Sequence, residues 1–188
     1  MKLTESDLKY MGIKPKEIKL YLPYLNQYLT EFRVNTPDRI LCFLANVFHE
    51  SANLFYVKEI ASGVAYEGRK DLGNTKPGDG VKFKGRSAIQ ITGRFNYNSF
   101  TEWCKKRYKD FKHDFVKNPE LLETPEFAIL GAFWFWERNG LEVWADVGKF
   151  KEVCAIINTG SPNSLRINGM EDRLKKYKII NNWLKTLL

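Results

Sequence analysis

Apolar residues recur at steps of three and four along the stretch that follows Thr36: Ile40, Phe43, Leu44, Val47, Phe48, Leu54 and Phe55. That spacing predicts a helix with one buried stripe. Thr36 followed by Pro37 fixes its start, because a hydroxyl cap and a first-turn proline both suit a helix N-terminus. Glu50 breaks the pattern. It lies three residues after Val47 and four before Leu54, so a carboxylate falls in or beside the apolar stripe. Desolvation there favours the protonated form, as a general acid requires.

Glu59 follows nine residues later. On one straight helix nine residues make two and a half turns, which sets the two side chains on opposite faces and roughly 13 Å apart. If the helix stops near Tyr56 and the chain turns, Glu59 can swing back to face Glu50. Two unlike carboxylates flanking a gap are the equipment of glycoside hydrolysis. On these two residues alone, a paired helix carboxylate and a solvated surface one is the better account, since structural ion pairs also perturb carboxylates.

The other patterns are mostly helical. Thr4 to Asp7 has capping-box spacing, and Gly12 can end the short helix after it. Pro15 opens a second helix, kinked or split at Pro23, with Leu20, Tyr24, Tyr28 and Phe32 on one face. Residues 1–35 are thus expected to brace the fold. Residues 61–85 are rich in glycine and turn dipeptides, as in GNTKPGDG, and form a long loop of the kind that serves a site. Ala88 to Thr92 predicts a short strand with Gln90 and Thr92 on one face, where an amide and a hydroxyl can hold sugar hydroxyls or a water. The alternative is that they satisfy nearby backbone. Helices are expected from Asn96 through Trp103 to Tyr108, from Pro119, from Pro125 to Asn139, from Lys149 to Ile157 and from Met170 to Leu187. In the Pro125 helix, Phe127, Leu130, Phe133, Trp134 and Trp136 suit a core position better than a sugar platform. In the last one, Leu174, Tyr177 and Leu184 are expected inward.

Composition narrows the class. The chain has 188 residues and 44% hydrophobic content, enough for one domain with a full core. A net charge of +8 favours an anionic partner such as an acidic bacterial envelope. No nucleic-acid motif or dense basic block accompanies that charge, which argues against a nucleic-acid binder. Cys42, Cys104 and Cys154 sit among apolar neighbours without CxxC spacing, and His49 and His113 lie far apart, so neither disulfides nor a metal centre is expected. The N-terminal MKLTESDLKYMG lacks a signal-peptide core, and no run is long enough to cross a membrane. The expectation is a protein made in the cytoplasm that reaches its target by some other release.

Taken together, FHES at 48–51, EIASGVAYEGRKDLGNTKPGDG at 59–80, GRSAIQITGRFNY at 85–97, NPELL at 118–122, FWFW at 133–136, INTG at 157–160 and EDR at 171–173 resemble glycoside hydrolase family 19, the chitinase-like enzymes, in its compact bacterial and phage form. The resemblance covers roughly residues 37–178 of a single 1–188 domain. It implies a mainly α, lysozyme-like α+β fold, with two helical lobes around a polysaccharide cleft and a small irregular sheet. It also implies that Glu50 is the general acid and Glu59 the general base, 6.5–9.5 Å apart in an inverting enzyme. Thr92 matches the position that helps hold the attacking water. Gln90 and Asn96 match sugar-binding positions, and Asn158 and Arg173 fall at cleft positions. Arg69 is expected to partner one carboxylate, and Arg69 or Arg173 to keep Glu59 ionised beside a protonated Glu50. No metal or organic cofactor enters this mechanism. Ser87, where glycine is common, and Thr159, in a motif often read as INGG, depart from the pattern.

Peptidoglycan and chitin share the β-1,4-linked N-acetylglucosamine unit. The basic charge and phage-type resemblance favour a monomeric endolysin that cuts peptidoglycan after holin-dependent release. A chitinase is the alternative, and a non-catalytic wall-binding protein a third reading, disfavoured because both glutamates and Thr92 are present.

Overall fold

The computed structural model describes residues 2–187; residues 1 and 188, the ends of the expected domain, lie outside them. Among the described residues nine α-helices run in order: α1 Glu5–Tyr10, α2 Pro15–Glu31, α3 Pro37–Glu50, α4 Asp79–Lys82, α5 Arg94–Arg107, α6 Pro125–Arg138, α7 Leu141–Asp146, α8 Phe150–Thr159 and α9 Met170–Lys185. Short 3-10 turns at Val64–Tyr66, Lys70–Leu72 and Pro119–Glu123 complete the regular structure. The expected sheet shrinks to two isolated antiparallel bridges, Lys58 with Arg86 and Arg86 with Ile91.

α3 is the axis of the molecule. Every residue from Ile40 to Phe48 is buried, so the predicted stripe widens to a whole helix enclosed by α7, α8 and α9 on its flanks and α6 through its aromatics. Phe43 stacks on Phe133 of α6 with ring centroids 4.1 Å apart, and Tyr28 and Phe32 of the N-terminal region meet the same ring at 5.9 and 5.2 Å. Burying one such side chain contributes about 1.5–3 kcal/mol. Tyr28 and Phe32 thus tie the end of α2 to α3 and α6 in one aromatic joint. Pro23 sits inside α2 without splitting it. Phe133, Trp134 and Trp136 are core, as their pattern predicts, whereas Leu20 and Leu174 stand about two-fifths exposed and belong to the wet faces. All three cysteines are free and buried; burial pushes the Cys42 thiol up to about 12 and the Cys154 thiol up to about 11.

α3 stops at Glu50, six residues short of the predicted Tyr56. Ser51 Oγ donates to the Val47 carbonyl at 2.6 Å and accepts from the Leu54 N–H at 2.9 Å. Ala52, Asn53 and Leu54 then take left-handed φ values of 47°, 62° and 65°, a conformation that costs about 1–2 kcal/mol per residue without glycine. Leu54, 1% exposed, offsets part of that cost by entering the core. This reversal aims the following segment at Gly85, whose carbonyl accepts from the Glu59 N–H at 2.8 Å.

Candidate active site

Glu50 ends α3, and its side chain is one-fifth exposed. Beside it lies Arg173 of α9, a guanidinium at 1% exposure, which pairs with Glu50 Oε1 and donates to Asn46 Oδ1 at 2.5 Å and to the Asn168 carbonyl at 3.3 Å. Asn46, four residues before Glu50 on the same helix face, is fully buried and anchors itself to the Cys42 carbonyl at 2.8 Å. Asn158 accepts from the Asn168 N–H at 2.9 Å and so fixes the loop that leads into α9.

A second polar cluster runs alongside. His49 Nδ1 meets Asp172 Oδ2 at 2.7 Å, and Lys176, one turn further along α9, approaches the same oxygen at 3.6 Å while donating to Asn53 Oδ1 at 2.7 Å. Burial opposes ionisation of Asp172, but the His49 hydrogen bond and the Lys176 charge outweigh it and hold that carboxyl below its usual range. Gly169 caps α9 at φ 68° and lies under the imidazole: a Cβ there would stand 2.2 Å from His49 Cε1. Gly169→Ala is accordingly expected to push α9 from α3 and cost about 2 kcal/mol or more, read as a fall in urea midpoint. An unchanged midpoint would show that the imidazole moves aside freely.

Glu59 is half-buried on the other side of the reversal. Tyr66 Oη donates to its Oε1 at 2.9 Å and the Gly85 N–H to its Oε2 at 2.9 Å. The Gln90 side-chain oxygen crowds Gly85 so closely that a Cβ on that glycine would fall 2.6 Å from it. Gln90 is not on a strand. Its φ is 58°, and its amide reaches the Ser87 carbonyl at 3.3 Å; Thr92 Oγ1 then donates to the Gln90 carbonyl at 2.9 Å. Asn96 donates to the Thr92 carbonyl at 2.8 Å and accepts from Arg138 at 2.9 Å. In this structure the side chains of Gln90, Thr92 and Asn96 thus satisfy local backbone and each other's turn.

Ser87 explains its own departure from glycine. It is fully buried at φ 74°, where glycine is favoured, and its hydroxyl donates to the Ala128 carbonyl at 2.8 Å.

No family model matches the chain. It is 30% identical over 122 residues to a glycosyl hydrolase family 19 domain-containing protein of Haemophilus influenzae, covering 65% of this chain and 52% of that relative. It is 29% identical over 139 residues to an endochitinase of Arabidopsis thaliana, covering 73% of this chain and 45% of the relative. Chitinase C of Streptomyces griseus superposes with a TM-score of 0.72 at 22% identity, over 97% of this chain and 76% of that one. Curated and structural neighbours point to the chitinase-like proteins of glycoside hydrolase family 19. The chain spans about half the length of the curated relatives it matches. The mainly helical fold with almost no strand is the fold of these family 19 neighbours.

The eight residues singled out by the family 19 resemblance form two sets and one outlier. Glu50, Arg173 and Asn158 gather where α3 meets α9; Glu59, Gln90, Thr92 and Asn96 follow the loop into α5. No hydrogen bond among the described residues joins the two sets. Arg69 belongs to neither: it pairs with exposed Asp71 through two contacts at 2.8 and 2.5 Å, not with a catalytic candidate. Arg173 pairs with Glu50, not Glu59, so the arginine expected beside the base candidate stands beside the acid candidate instead. Two hollows of about 800 Å³ lie elsewhere, one between α2, residues 107–113 and α6, the other on α9, and neither is lined by Glu50 or Glu59. Tyr66, Asn46, His49 and Asp172 were given no site role from sequence. Tyr66, His49 and Asp172 lie inside the quoted motifs, and Asn46 is marked only by its four-residue spacing from Glu50.

Proposed function

We propose that the protein is a glycosidase that hydrolyses β-1,4 bonds in N-acetylglucosamine polymers, with chitin-type chains the first choice of substrate. The observation that carries this reading is the left-handed reversal at 52–54, which parts two glutamates nine residues apart and leaves each carboxylate held by its own hydrogen-bonding partners. Two of the three relatives named above carry the name chitinase or endochitinase, which puts chitin ahead of the peptidoglycan favoured by charge and phage-type resemblance.

In the proposed reaction a water oxygen bonds to the anomeric carbon as the glycosidic carbon–oxygen bond breaks, and the configuration inverts. Glu59 takes the proton of that water. Glu50 gives its proton to the leaving oxygen. Arg173 engages only Oε1 of Glu50, so Oε2 is the oxygen left to carry that proton. The Thr92 hydroxyl already donates to Gln90, so toward the water it acts as acceptor.

The net charge of +8 keeps one second reading, attack on the anionic bacterial wall. Reducing-end release from chitin oligomers and from purified sacculi, with products identified by mass, separates the two. Cleavage of the oligomers, with the inverted anomer formed first, is the expected result. Release from sacculi alone selects the wall enzyme, and release from neither polymer overturns the glycosidase reading.

A further inference from the structure

We propose that Tyr66 is the positioning residue for the general base: with the Gly85 N–H, its phenol clamps the Glu59 carboxylate from both sides and fixes its aim. This rests on the glycosidase reading above. Each Glu59 oxygen accepts one hydrogen bond, at 2.9 Å from Tyr66 and 2.9 Å from Gly85, and both therefore act as acceptors, the arrangement that suits an ionised carboxylate. Each oxygen keeps a further lone pair for the proton of a water. A half-buried glutamate on a loop would otherwise sample several rotamers, and a base that points away from the water is no base.

Tyr66 can hold Glu59 because the loop beneath it is itself held. Asn74, fully buried, donates from its amide nitrogen to the Tyr66 carbonyl at 2.9 Å and accepts from the Arg94 N–H at 2.9 Å, tying the Val64–Tyr66 turn to the start of α5. Arg94 grips the buried Asp79 carboxylate through both oxygens. Glu67, next to Tyr66, accepts from the Gly78 and Gly80 N–H groups at 2.7 and 2.8 Å. Gly80 lies so near that a Cβ on it would meet the Glu67 nitrogen at 2.5 Å. The long glycine-rich segment is thus a scaffold that ends in one phenol aimed at one carboxylate.

Tyr66→Phe removes the hydroxyl and keeps the ring. The expected result is a kcat on chitin oligomers lowered about 10- to 100-fold, with KM within about twofold and the melting temperature nearly unchanged. A readout without turnover comes from tyrosine labelled with carbon-13 at the phenol carbon, with Tyr66→Phe assigning the resonance. Burial, then the hydrogen bond and charge of Glu59, raise the Tyr66 phenol above its ordinary value of 10.0, and Glu59→Gln should lower it. An unchanged kcat overturns the proposal. So does a phenol indifferent to Glu59→Gln, since a ring that merely packs would behave that way. A wild type inactive on both chitin and sacculi, with the phenol still responding to Glu59→Gln, would confirm the contact but sink the glycosidase reading and Tyr66's role with it.

Discussion

Glu50→Gln is expected to lower hydrolysis about a thousandfold or more, because a carboxamide can occupy the same space and still accept from Arg173 but has no acidic proton to transfer to the leaving oxygen. General acid–base groups are worth about 10²–10⁴ in rate, and an unactivated sugar leaving group lies at the demanding end of that range. The variant is not expected to be silent in stability. Whenever Glu50 is ionised, Arg173, 1% exposed, loses its counter-charge in the variant while keeping its bonds to Asn46 and Asn168, at a cost of about 1–3 kcal/mol. Activity must therefore be compared at a temperature where circular dichroism shows both proteins folded. Undiminished turnover by the folded variant would remove Glu50 from its role, whatever the fate of Glu59.

The helical skeleton was readable because its signals are local. Thr36–Pro37 set the start of α3, Thr4 with Asp7 forms the capping box that its spacing predicts, and the density of Phe133, Trp134 and Trp136 marked a buried helix. The end of α3 was not readable in the same way. Leu54 continues the apolar period, so the sequence places it on the helix; in fact it reaches the core by a left-handed turn held by the Ser51 hydroxyl, by backbone bonds such as Asn53 N–H to the Phe48 carbonyl, and by tertiary burial. The strand at 88–92 failed for a related reason. Alternation of Ile89, Gln90 and Ile91 mimics an extended segment, yet positive φ at Ser87 and Gln90 bends it into a turn secured by the Ala128 carbonyl on another helix.

Partners of the candidate residues were harder still. Arg69 lies closer to Glu59 in sequence than Arg173 does, but Asp71 is nearer again and takes its guanidinium. Arg173 reaches Glu50 across 123 positions because α9 docks on α3, a long-range fact that no spacing rule contains.

That docking makes Arg173 the residue whose loss should cost most in stability. Its guanidinium joins Glu50, Asn46 and the Asn168 carbonyl in a setting nearly closed to water. Arg173→Met keeps most of the volume and removes the charge. Breaking a buried ion pair from one side typically costs about 3–5 kcal/mol, because the remaining charge keeps its desolvation and loses its compensation. Glu50 is one-fifth exposed, so water can reach it in part, and a value near the lower end, about 3 kcal/mol, is expected from urea denaturation. Arg173→Lys should recover only part of this, since one ammonium cannot present the planar fork that serves three acceptors at once. The discriminating measurement is the cycle with Glu50→Gln. If the guanidinium matters through Glu50, the double variant should be less destabilised than the sum of the singles, because methionine facing glutamine leaves no stranded charge. Strict additivity would instead mean that Arg173 holds α9 through Asn46 and Asn168 alone, and the pairing with Glu50 would then carry no measurable energy of its own.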